Sequence, residues 1–143
     1  MIKSSPKIFI DSSLFLAFID RTDLNHQKAA TVFDFLARQR YRVYTSSLVF
    51  WFTFQRLEKE LGTTISYDFL QAILESSIEI VFPQKTDLIF IYRFLRNNQT
   101  KQISLSDIAN ARIMEKLSIS TILTFDNWSN LLGTKVSNLI TDQ

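Results

Sequence analysis

The chain contains no cysteine, which excludes disulfides and thiolate metal sites outright and suits a reducing compartment. Two glycines and two prolines in 143 residues are too few for a collagen-like repeat, a disordered chain or a turn-rich all-β fold. One histidine occurs, His26. A Ser-His-Asp arrangement or a histidine-rich metal site would have to use it, and it has no suitable company; it reads as a loop or helix-start residue facing solvent. Long apolar runs are missing too. Leu14 to Ile19 is the most apolar stretch, far short of the roughly 20 residues that a bilayer span requires. The segment Met1 to Lys7 has no apolar h-region and no small-residue cleavage site, so no signal peptide is expected. These absences together lead to the expectation of a soluble, cytoplasmic protein without a membrane segment.

What is present is ordinary in bulk, with 46% hydrophobic and 21% charged residues. A chain of this length builds one core, so residues 1–143 are read as a single domain with no linker or repeat. Thirteen phenylalanines make that core, and part of the surface, aromatic. The net charge is +2 and the pI near 9.0, compatible with a polyanionic partner without requiring one. Arg38, Arg40, Arg42, Arg56, Arg93, Arg96 and Lys101 could track a phosphate backbone. Such charges are commonly just solvated, so none is assigned a contact.

Strand-like and helix-like segments alternate. Lys7 to Ile10 is a short apolar run closed by Asp11-Ser12-Ser13, a strand followed by a helix-start signal. Asp23 to Arg40 has helical periodicity, Arg42 to Thr45 reads as a strand, and Leu48 to Leu61 as a helix stopped by Gly62. Tyr67 to Glu75 is helical and Ile78 to Phe82 a strand. Asp87 to Leu95 is helical, Asn97 to Thr100 a polar loop, and Leu105 to Leu117 a helix behind Ser104-Leu-Ser-Asp107. Ser120 to Phe125 is a strand ending at Asp126; a short helix and the run Val136 to Ile140 complete the chain. This order predicts a mostly parallel sheet with helices on both faces.

Ligands bind such sheets beyond the carboxyl ends of the strands. Asp11 and Asp126 fall there. Asp107 opens the helix feeding the fourth strand and, read from connectivity, lies toward the opposite edge unless the preceding loop climbs. Each acid has an ordinary alternative role. Asp11 and Asp126 could cap the helices after them, and Ser104-x-x-Asp107 could be a capping box.

Taken together, the order Ile8-Phe-Ile-Asp11-Ser-Ser, Asp23-Leu-Asn-His26, Thr45-Ser-Ser-Leu-Val, Ser104-Leu-Ser-Asp107 and Leu123-Thr-Phe-Asp126 resembles the PIN domain. It is most similar to the toxin ribonucleases of bacterial VapBC toxin–antitoxin pairs, over nearly the whole chain. The resemblance implies a three-layer α/β/α sandwich with a mostly parallel sheet of four to five strands. It also implies a metal-dependent endoribonuclease site in which Asp11, Asp107 and Asp126 hold Mg²⁺ or Mn²⁺. RNA is then the substrate, a cognate antitoxin the expected partner, and a homodimer a further expectation. Oxygen donors suit these hard cations, and packed carboxylates repel one another without one.

One position departs from the family pattern. Phe52 stands where a second acid is expected, and no neighbouring acid replaces it. Three carboxylates balance one divalent ion and hold a second poorly, so weakened activity is expected. The alternative is a catalytically degenerate PIN-like module acting through protein or RNA contacts. On the helix from Leu48 to Leu61, the residues Phe50, Phe54, Leu57 and Leu61 form the stripe toward the sheet. Phe52 lies opposite, near Leu48 and Lys59, in the cleft or against a partner, and Trp51 is also off the stripe. A protein interface accounts for Leu48 as well as Phe52, and base stacking on the rings ranks below it for that reason. A phosphate-handling α/β fold is a distant third. A haloacid-dehalogenase-like phosphatase wants a second acid where Ser13 stands, and a receiver wants paired acids near the first strand and a lysine after the last, neither of which is evident.

Overall fold

The computed structural model describes residues 5–99, 102–126 and 137–138. Strand β1 (Lys7–Ile10) leads into helices α1 (Ser12–Ile19) and α2 (His26–Arg38). Strand β2 (Arg42–Ser46) is followed by α3 (Ser47–Leu61) and α4 (Thr63–Glu75). Strand β3 (Glu79–Val81) precedes α5 (Lys85–Asn97) and α6 (Leu105–Lys116), and β4 (Thr121–Leu123) and the two-residue β5 (Ser137–Asn138) close the sheet. The expected short helix after Asp126, and Thr100 and Lys101, lie outside the described residues. The expected last apolar run is described only as β5.

The strands lie in the order β3-β2-β1-β4-β5, all parallel. The chain therefore steps one way from β1 through β2 to β3, then crosses back past β1 to β4. Parallel crossovers are right-handed, so reversing the direction of travel puts α1 to α4 on one face and α5 with α6 on the other. This is the expected three-layer α/β/α sandwich. Ile8, Phe9 and Ile10 are all fully buried, as a central strand covered on both faces must be. Each such side chain contributes roughly 1.5–3 kcal/mol of burial free energy.

On the first face the phenylalanines do the packing. Phe69 of α4 meets Phe15 of α1 and Phe50 of α3, each at 5.6 Å between ring centroids. On the other face Ile91 packs against Ile108 and Ala109, and Leu48 reaches over from α3 to join them. Leu48 is thus half-buried in a core. The expected stripe on α3 is shifted as well: Val49, Phe50, Thr53 and Leu57 are buried and Leu61 is exposed. Gly62 ends α3 and starts α4 at φ 95°, a conformation unfavourable for residues with a Cβ.

Helix α6 ends at the amino edge of the sheet. Lys7, at the start of β1, donates from Nζ to Leu117 O at 3.0 Å, just beyond the last turn of α6. Lys116 also donates to both oxygens of Asp87, in the first turn of α5, at 3.0 and 3.2 Å. Helix α5 therefore rises from the amino edge and α6 descends to it.

Candidate active site

That antiparallel pair corrects the expected position of Asp107. A helix feeding β4 must finish where β4 begins, at the amino edge, so its first turn starts at the carboxyl edge. The loop does not have to make the climb; α5 does, over 13 residues, or about 20 Å at 1.5 Å per residue. Asp107 consequently faces the same cavity as Asp11 and Asp126.

This cavity, about 260 Å³, opens at the carboxyl edge beside β1 and β4. The direction of the crossovers reverses between these strands, which is where open α/β sheets bind their ligands. Asp11 directly follows β1, its amide continuing the ladder to Leu123 O at 3.1 Å. Asp126 lies three residues beyond β4, and Asp107 sits in the first turn of α6. The side chains of Asp107 and Asp126 are exposed, and that of Asp11 is half-buried.

None of the three carboxylates is spent on capping within the described residues. Asp11 makes no side-chain cap to α1. Ser104 caps α6 by accepting from Asp107 N at 3.0 Å, but the reciprocal bond from the Asp107 carboxylate is absent, leaving half a capping box. The complete box is elsewhere, between Gln84 and Asp87 on α5.

A hydroxyl network that the motifs did not reveal supports Asp11. Thr124 Oγ1 donates to Asp11 Oδ2 at 2.9 Å and accepts from Asp126 N at 3.0 Å. Ser13 Oγ lies 3.0 Å from Thr124 Oγ1 and accepts from Phe125 N at 2.9 Å. A hydroxyl has one hydrogen. Thr124 gives its own to Asp11, so Ser13 must donate to Thr124. The chain Ser13 to Thr124 to Asp11 therefore has every proton assigned. Across the cavity, Ser46 Oγ donates to Asn110 Oδ1 at 2.6 Å and accepts from Val49 N at 3.1 Å. This buried pair fixes the start of α3 against α6. Both hydroxyls of the first network sit inside motifs already quoted, Asp11-Ser-Ser and Thr-Phe-Asp, and Ser46 inside Thr45-Ser-Ser; its partner Asn110 carries no local signal.

Burial raises the pKa of Asp11, opposed by hydrogen bonds from the Ser12 amide and the Thr124 hydroxyl and reinforced by the charges of Asp126 and Asp107. Among the described residues no lysine or arginine lines this cavity. The donor chemistry therefore fits a hard divalent cation: three carboxylates, all oxygen donors, facing one space without a counter-charge. Among the described residues, however, no three acids or histidines converge closely enough to form a finished cage.

Phe52 is 49% exposed and lines this cavity. It also lines an adjoining one of about 340 Å³, with Asn25, Arg56, Phe125 and Asp126. Trp51, beside it, is 57% exposed. His26 is the first residue of α2, half-buried, with Nδ1 3.0 Å from Ala17 O. A carbonyl only accepts, so Nδ1 carries the proton and ties α2 to α1; the ring is not the solvent-facing one expected, and it does not line the acid cavity.

No family model matches the chain, and neither does any curated protein. Among solved structures it is similar to VapC20 of Mycobacterium tuberculosis, a toxin that cleaves the sarcin–ricin loop. The TM-score is 0.72 at 20% identity, over 83% of this chain and 89% of that one. It is also similar to PAE2754 of Pyrobaculum aerophilum, with a TM-score of 0.60 at 16% identity over 95% and 91% of the two chains. The shared property is the fold. Among the described residues no helix is long and apolar enough to cross a membrane.

Proposed function

We propose that this chain is a PIN-type endoribonuclease dependent on Mg²⁺ or Mn²⁺ and weakened by the loss of the second acid. The observation that carries the reading is the gathering of Asp11, Asp107 and Asp126 around one cavity at the β1/β4 switch point. The likeness in fold to a toxin that cleaves RNA supports the substrate class. Asp11, Asp126 and Asp107 would hold the ion, which when bound polarises a phosphate and lowers the pKa of a water. Thr124 and Ser13 orient the Asp11 carboxylate, and the Ser46–Asn110 pair holds the walls of the cavity together.

The toxin reading brings two candidate partners, a cognate antitoxin and a second copy of this chain. Exposed apolar side chains such as Phe82, Leu88 and Tyr92 offer surface for such contacts. Phe52 and the unfinished acid cage favour one second reading, a PIN-like module that binds RNA or protein without cleaving.

Cleavage of a mixed RNA substrate with Mn²⁺ or Mg²⁺, comparing wild type with Asp11→Asn, separates the two. Cleavage by wild type that is lost in the variant supports the nuclease. A folded wild type that cleaves nothing at any metal concentration leaves the binding module.

A further inference from the structure

Phe52 occupies the wall between two adjoining cavities, and Ser12 and Asp126 line both with it. The acid cavity lies on one side. The other is walled by two aromatic rings, Phe52 and Phe125, with Asn25 and Arg56 at its rim. The Asn25 side chain makes no hydrogen bond among the described residues: it does not cap α2, and only its backbone is engaged, the amide with Asp23 and the carbonyl with Ala29 N. Its amide therefore keeps both a donor and an acceptor free beside an aromatic wall.

We infer that this second cavity is a nucleobase subsite, in which Phe52 stacks on an unpaired base of single-stranded RNA whose backbone passes the aspartates. The inference rests on the nuclease reading for the backbone path, but the stacking contact can be tested without turnover. Two observations favour a base over a protein partner. The interface explanation of Phe52 drew on Leu48 and Trp51; Leu48 is instead packed into the α5–α6 core, and Trp51, though exposed, lines neither cavity. Phe52 also stands in concave, largely polar surroundings with Asn25, Arg56 and Asp126. A protein interface centre is depleted in charge, whereas a base site combines a stacking ring with a few polar groups at its edge. Arg56 is paired with Glu60 on the outer face of α3 and can also face a passing phosphate. The substitution that blunts the metal site would then contribute a base contact at the same position.

The test titrates short fluorescein-labelled single-stranded RNA of mixed sequence into the full chain in EDTA. A matching probe has one base removed at each position in turn, and a duplex probe serves as control. Cleavage is read separately with Mg²⁺. Wild type should bind the single strand more tightly than the duplex. Phe52→Ala should weaken binding roughly tenfold, Phe52→Tyr should restore it, and Asn25→Ala should change which bases are preferred. At one position, removing the base should weaken wild type but leave the affinity of Phe52→Ala unchanged. Equal affinity of Phe52→Ala and wild type overturns the subsite, as does absence of binding by wild type. A changed sedimentation coefficient for Phe52→Ala at unchanged RNA affinity also overturns it and makes Phe52 a protein contact. RNA binding that depends on Phe52 without cleavage keeps the subsite and removes the nuclease; cleavage indifferent to Phe52→Ala does the reverse.

Discussion

Thr124 Oγ1 donates its single hydrogen to Asp11 Oδ2 at 2.9 Å across a sequence separation of 113 residues. The same oxygen accepts from Asp126 N at 3.0 Å, so one hydroxyl couples the two acids that follow β1 and β4. Replacing it by an isosteric methyl removes both bonds, and the one it accepts from Ser13 Oγ, without changing shape. Thr124→Val should therefore leave the fold intact and lower divalent-ion affinity by about 10- to 100-fold, the range expected when a group orienting a ligand is lost. Mn²⁺ titration by calorimetry checks this. An affinity equal to wild type would make the hydroxyl a purely structural link.

Asp11→Asn has two effects of opposite sign. Burial and the neighbouring carboxylates push the Asp11 pKa up, so folding favours its protonated form. That contribution is present below the ordinary carboxylate pKa and lost as pH rises through the raised value, leaving a penalty at neutral pH. Asparagine cannot ionise, so in EDTA at neutral pH the variant should melt higher, by roughly 2–4 °C if the penalty is about 1 kcal/mol. Its advantage should fade as the pH is lowered. With Mg²⁺ or Mn²⁺ the order should reverse, because wild type gains binding energy that the variant lacks. Thermal melts with and without the ion measure both effects. A variant that melts at or below wild type in EDTA would show that Asp11 carries no uncompensated charge.

The architecture was legible because apolar runs punctuated by Asp-Ser or Ser-Ser alternate with helical periodicity, and parallel topology follows from that order. Helix α1 was not delimited. Its sequence, SSLFLAFI, is apolar almost throughout and leaves no amphipathic period to read. Asp11 and Asp126 could be placed because strand ends are local features. Asp107 was assigned to the site but read as lying toward the opposite edge unless its loop climbed. That reading overlooked that a helix feeding a parallel strand must start at the carboxyl edge; the bonds from Lys7 to Leu117 and from Lys116 to Asp87 fix that course. Ser13 and Thr124 stayed hidden for a different reason. Serine and threonine occur everywhere, and nothing local marks a hydroxyl that will meet another 111 residues away.

Phe52→Glu restores an acid to the wall of the cavity. Phe52 is half exposed, so the exchange should leave the core undisturbed. A fourth carboxylate adds repulsion to the metal-free protein and a ligand to the loaded one. Divalent affinity should rise roughly tenfold or more, since ligand charge count tunes such sites. RNA cleavage should rise with it, and melting in EDTA should fall slightly. Calorimetric Mn²⁺ titration together with the RNA assay reads both. Unchanged affinity would place position 52 outside the ion's reach.

Asp87 supplies the structural counterpart to the site acids. It is 2% exposed, completes the capping box of α5, and pairs with Lys116 at 3.0 Å and Arg112 at 3.5 Å. Arg112 in turn lies over the Phe90 ring, 4.4 Å from its centroid. Burial alone would raise the Asp87 pKa, but the Gln84 amide, Lys116 and Arg112 together hold it below the usual carboxylate range. A lowered folded pKa contributes stability that is present above the unfolded value, about 3.9, and lost as pH falls through the folded one. Asp87→Ala removes the cap and leaves two cations without their shared partner. The cost at pH 7 should be about 3 kcal/mol, short of the largest buried-pair losses because Lys116 and Arg112 retain access to solvent. Urea unfolding of both proteins across the acid range measures it. The gap between them should narrow as pH drops below about 4. A gap that stays constant to low pH would assign the loss to packing and capping instead of charge.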